Sequence, residues 1–129
     1  MNKLLWVLQW VLGIYFIAIG ILHFIVPPGL PDPMAWMYEL SPMLHWTSGL
    51  AEILGGLGLI LPGLTGIQTR LTPMAALGLV LVMAGAVVYH ATRGGEMQNI
   101  FTNIVIMALV GFVAYGRWKL YPLKDKGVA

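Results

Sequence analysis

The chain has 129 residues, 59% of them hydrophobic and 9% charged, with a formal net charge of +2 and no cysteine. An ordinary soluble domain carries roughly 25% charged residues, so this composition excludes a water-solvated surface, and the missing cysteines exclude disulfides, thiolate-held metals and dithiol redox chemistry. The seven basic residues have no soluble face on which to form a nucleic-acid site; they read as membrane-orienting charges.

The first apolar run covers residues 4–26 and is stopped by Pro27 and Pro28; at 1.5 Å per residue it reaches ~34 Å, enough to span. A signal peptide would carry a shorter apolar region followed by a small-residue cleavage site, so this segment is expected to be retained. The loop 27–41 holds prolines at 27, 28, 31 and 33. Asp32 and Pro33 read as N-cap and first helical position ahead of MAWMYEL, which predicts a short helix lying in the membrane interface with Trp36 and Tyr38 at headgroup depth. Ser41 and Pro42 repeat that start signal for a second span over 42–61, ended by Pro62 and Gly63. Gly49, Gly55, Gly56 and Gly58 would weaken a helix in water, but in lipid small residues let neighbouring backbones approach. The third span, 72–91, is expected to open on Thr72 as cap and Pro73 as first position, with Gly78, Gly85 and Thr92 forming a second small-residue seam. The link TRGGEMQ leads to a fourth span over 99–116 and a charged tail, RWKLYPLKDK. The expected fold is all-α, one domain over 1–129, an integral membrane four-helix bundle.

Alternating the loops puts Lys3, Arg70, Arg117, Lys119, Lys124 and Lys126 on one side and Arg93 alone on the other. By the positive-inside rule both termini are expected in the cytoplasm, with Asp32, Glu39 and Glu96 outside.

Four polar groups fall in the outer half of these spans: His23, Glu52, His90 and Asn103. If Trp46 marks the outer interface, Glu52 lies ~9 Å deeper. An isolated carboxylate there costs at least ~2.5–3.5 kcal/mol, so Glu52 must be protonated, paired or wetted. His23 shares a helical face with Gly13 and Gly20, which points it at a helix contact. Each group also has a plainer reading: Glu52 as a carboxylate near a helix start, His23 as an interhelical hydrogen-bonder, His90 as an interface residue, Asn99 and Asn103 as helix-to-helix contacts. Arg93, one turn beyond His90, either snorkels or binds an anion or Glu52. Two histidines and a glutamate are a ligand set for zinc or iron, yet no HxxxH or ExxH spacing puts two of them on one helix, and no metal is assigned. Serine triads, phosphate loops and dinucleotide fingerprints do not occur in the sequence.

The segments GILHFIVPPG, SGLAEILGGLGLILPGLT, LTPMAALGLVLVMAGAVVYHATRGGE and NIVIMALVGFVAYGRW together resemble the DoxX-like family of small four-helix membrane proteins. Its most specific element is the glutamate followed by a glycine-rich stretch, here Glu52, Gly55 and Gly56. The resemblance implies a four-helix bundle with His23, Glu52 and His90 as the polar positions. The family name comes from a subunit of a thiosulfate:quinone oxidoreductase, and a chaperone of nicotinic acetylcholine receptors is similar to the group, so the fold does not fix an activity. Two readings follow. In one, Glu52, His23, His90, Arg93 and Asn103 bind a lipophilic small molecule, a quinone or a lipid. In the other, the protein is a membrane chaperone or assembly partner whose small-residue seams and interfacial loop bind helices of another membrane protein or a second copy of the chain. No catalytic residue and no firm cofactor is assigned, and a redox link would make the protein an accessory quinone-interacting subunit rather than an enzyme acting alone.

Overall fold

The computed structural model describes residues 1–127, and helices account for most of them. Four helices are long and apolar enough to cross a membrane: α1 (Asn2–Ile25), α2 (Pro42–Thr65), α3 (Leu71–Arg93) and α4 (Met97–Tyr115), with a π turn over Gly116–Leu120 extending α4. A 3₁₀ segment, Asp32–Tyr38, lies between α1 and α2. Only 17–33% of each span's most apolar window is buried inside the bundle. The remaining surface is apolar as well, with residues such as Val11, Leu54, Leu81 and Phe101 exposed, so lipid is the solvent of this fold.

α1 and α2 pack as an antiparallel pair held by glycine. A Cβ added to Gly56 would stand 2.6 Å from Gly13 O, and one added to Gly20 would stand 2.8 Å from Gly49 O. In a bilayer helices gain little from hydrophobic burial, so this backbone-to-backbone contact is what makes the pair specific. The buried stripe of α1 is Leu5, Gln9, Leu12, Phe16, Gly20 and His23, a spacing that aligns one face. α3 docks on the other side of α2, where Gly55 meets Leu79 and Gly58 meets Ala75. Gly78 and Gly85 have nothing within 4 Å of where a Cβ would stand; the second seam expected on α3 is therefore not a contact within the bundle.

Ser41 caps α2 as expected, accepting from Leu44 N at 3.3 Å, with Pro42 beside it. Its inner end differs: the helix runs through Pro62 to Thr65 and stops at Gly66 in the left-handed conformation, φ 71°. A proline inside a helix removes the N–H that would serve the carbonyl four residues earlier, here Gly58 O. Thr72 Oγ1 donates to that carbonyl at 3.0 Å. Neighbouring side chains satisfying freed backbone groups is how membrane helices tolerate proline. Thr72 is thus not the N-cap of α3; Arg70 holds that position.

The loop also departs from expectation. Asp32 makes no capping hydrogen bond, and the segment is 3₁₀ rather than α. It does not merely lie on the membrane surface, because Met37 is fully buried. Tyr38 pins the loop by donating to Pro27 O at 2.7 Å and accepting from Leu30 N at 3.0 Å.

Candidate functional site

Beneath the 3₁₀ segment the helices leave a cavity of about 310 Å³. Most of its wall is apolar, supplied by residues such as Ile19, Leu44, Met83 and Ala86. The polar lining comes from every element: His23 and Tyr15 on α1, Glu52 on α2, His90 on α3, Asn103 on α4. Trp36 reaches in from the 3₁₀ segment, its ring 5.1 Å from that of His90 and 5.8 Å from that of His23. Four of the five residues expected to form the site are therefore together.

Glu52 is 4% exposed. Its Oε2 lies 3.3 Å from His23 Nε2, an ion-pair distance that does not meet hydrogen-bond geometry, and Oε2 has no hydrogen-bond partner. On the other side of the ring, His23 Nδ1 is 3.0 Å from His45 Nδ1, and His45 Nε2 is 2.8 Å from Met37 O. A carbonyl can only accept, so His45 Nε2 carries a proton and, in the neutral ring, His45 Nδ1 offers a lone pair. His23 Nδ1 must then donate to it. The other ring nitrogen, His23 Nε2, is the one that lies against Glu52 at the cavity wall.

Among the described residues no group of three His, Asp or Glu converges as a metal site. His23 turns one nitrogen to His45 and the other to Glu52.

Arg93 is the exception among the expected residues. It does not line the cavity but stands at the rim, where its guanidinium pairs with Glu39, donates to Glu96 Oε2 at 2.7 Å and lies 5.3 Å from the Tyr89 ring centroid. Glu96 also accepts from His90 Nδ1 at 2.6 Å. Partial burial works to raise the Glu96 pKa, but the hydrogen bonds from Arg93 and His90 outweigh it and hold the carboxyl below its ordinary value. The rim thus fixes the ring of His90, which is 1% exposed, at the cavity wall.

Sequence reasoning missed His45 and Trp36. His45 lies seven residues before Glu52 on α2, two helical turns along one face, a signal that was available. Trp36 looked like an ordinary interfacial aromatic. A second polar centre at the opposite end was missed as well: Arg117, counted among the tail charges, is 3% exposed. It donates from Nε to Gln9 Oε1 at 2.6 Å and from Nη1 to Asn2 Oδ1 at 2.7 Å and Tyr121 O at 2.9 Å. Gln9 in turn donates to Leu59 O at 2.8 Å.

Fold and cavity together define a four-helix integral membrane protein with a buried glutamate beside a histidine. The chain belongs to the DoxX-like family, whose sequence profile matches residues 7–113. No protein of curated function and no solved structure matches it.

Proposed function

We propose that the protein binds a small lipophilic molecule, a quinone or a lipid, with its polar head in the cavity between Glu52, His23 and His90. The observation that carries this is Glu52: a nine-tenths buried carboxyl group, lining about 310 Å³ of mostly apolar space, with Oε2 unpartnered. Leaving such a group without a hydrogen bond costs on the order of 1–3 kcal/mol or more, which a ligand supplying the partner would recover. The volume suits one ring or head group rather than a whole lipid, so the tail would lie along the lipid-facing surface. Glu52 and His23 offer that head a carboxyl group and an imidazole, and Asn103 and His90 line the cavity from the other helices.

Mass spectrometry of small molecules released from gently purified protein tests this. A quinone or lipid retained at near-stoichiometric amount is the expected result; protein that is stable and carries no lipophilic molecule overturns it.

The second reading, a partner helix from another membrane protein or a second copy of the chain, keeps one supporting observation. The glycines of α1 and α2 are used inside the bundle, but Gly78 on α3 is open to lipid. A stoichiometric protein partner in the same preparation would favour it.

We further infer that the termini face the cytoplasm and the cavity lies toward the outside, from the basic residues gathered at the terminal end. Impermeant thiol labelling of intact cells checks this: labelling at Gln98→Cys and none at Asn2→Cys agrees, and the reverse pattern overturns it.

A further inference from the structure

At the terminal end a second cavity, of about 410 Å³, is lined by Thr69, Arg70, Pro73, Met74, Arg117 and Trp118 among others. Arg117 is 3% exposed and its partners are neutral: an amide oxygen of Gln9, an amide oxygen of Asn2, a backbone carbonyl and the Trp6 ring, 5.2 Å from Cζ. Nη2 has no partner, and among the described residues Arg117 forms no salt bridge. A guanidinium cannot lose its proton in a protein, so this end of the bundle holds a buried positive charge that, among the described residues, no carboxylate pairs with. Such a charge is stable only when paired or hydrogen-bonded throughout. Arg70 lines the same cavity and adds a second cation, and the cavity includes the first turn of α3, whose dipole also favours an anion. Asp125, the acid of the tail, accepts from Thr69 N at 2.8 Å and Thr69 Oγ1 at 2.7 Å and lies close enough to Arg70 to feel its charge.

We propose that this cavity binds a phosphate group, with Arg117 and Arg70 as its two cationic contacts. Arginine suits the task because its planar fork matches phosphate oxygens. The two sources of that chemistry are the headgroup of an anionic phospholipid and free phosphate; the exposed Trp118 and Tyr121 beside the cavity place it at headgroup depth and favour the lipid.

The test uses full-length protein in detergent, with native mass spectrometry after adding phosphatidylglycerol or phosphatidylcholine, and thermal unfolding with inorganic phosphate. Preferential retention of phosphatidylglycerol, weakened about fivefold by Arg70→Gln, is the expected result. Stabilisation by inorganic phosphate without a lipid preference, also lost in Arg70→Gln, supports the site with the soluble source. Arg70 is exposed and makes no side-chain hydrogen bond among the described residues, so this variant is expected to fold, whereas Arg117→Gln removes a structural partner of Gln9. Lys3→Gln controls for attraction to the basic surface in general. Equal binding of the two lipids with no phosphate effect overturns the proposal, as does a loss in Lys3→Gln as large as that in Arg70→Gln.

Discussion

His23 Nδ1 lies 3.0 Å from His45 Nδ1, and this contact between α1 and α2 works only if one ring donates and the other accepts. Because His45 Nε2 faces the Met37 carbonyl at 2.8 Å, the donor must be His23. With both rings in their neutral form, nitrogen NMR of histidine-labelled protein should find His45 protonated on Nε2 and His23 on Nδ1. His45 protonated on Nδ1 would overturn that assignment.

The α1–α2 contact makes a prediction with an internal control. A Cβ at Gly56 would sit 2.6 Å from Gly13 O, a backbone atom that cannot swing away, whereas one at Gly78 meets nothing within 4 Å. Gly56→Ala should destabilise by about 1–3 kcal/mol through forced helix separation. Gly78→Ala should be neutral or stabilising by up to about 1 kcal/mol from helix propensity. Unfolding of both variants in the same detergent decides it, and equal effects would remove the special role given to the glycine pair.

How much of this was legible follows from period and polarity. Four apolar runs long enough to span gave the helices, and an acid in one of them gave Glu52 as a buried group. His23 came from its phase relative to Gly13 and Gly20. What could not be read were relations between distant positions: that Thr72 leaves its expected cap for Gly58 O, or that Gln9 and Arg117, 108 residues apart, meet. Arg117 looked like a tail charge because π-turn geometry at the end of α4 has no clear sequence signal. The glycines of α3 show the opposite failure, since small residues repeated on one face mark a potential contact without saying whether this fold uses it.

Pro62 and Thr72 should be energetically coupled. Thr72→Val keeps the side-chain shape and leaves Gly58 O without a donor, at a cost of about 1–3 kcal/mol. In a Pro62→Ala background the restored N–H reaches that carbonyl, so the same substitution should cost clearly less. A double-mutant cycle on unfolding free energies gives the answer, and additive effects would mean that the threonine hydroxyl does not substitute for the missing helix bond.

The rim predicts a pH response. Arg93 and His90 hold Glu96 below its ordinary value of 4.5, and a carboxyl depressed in the folded state contributes stability that is complete above the unfolded value and lost as pH falls through the folded one. The difference in unfolding temperature between parent and Glu96→Gln should therefore be present at pH 7 and shrink as pH drops below 4.5. A difference that grows on acidification would contradict the assignment.

The last prediction concerns Glu52 and separates binding from folding. Its carboxyl is buried among helices, touches His23 only at 3.3 Å and leaves Oε2 unpartnered, so the fold gains little from it and carries the expense of keeping it out of water. Glu52→Gln preserves the shape and removes the ionisable group. Its unfolding temperature in detergent is expected to equal or exceed that of the parent, while the amount of co-purified lipophilic molecule falls, because the amide lacks the carboxyl group proposed to meet the ligand. Measuring both quantities on the same preparations distinguishes the alternatives. Much earlier unfolding would make Glu52 a structural partner of His23 and His45. Unchanged stability with unchanged bound molecule would move the ligand away from this cavity and leave the partner-helix reading, centred on the open face of α3, as the better account.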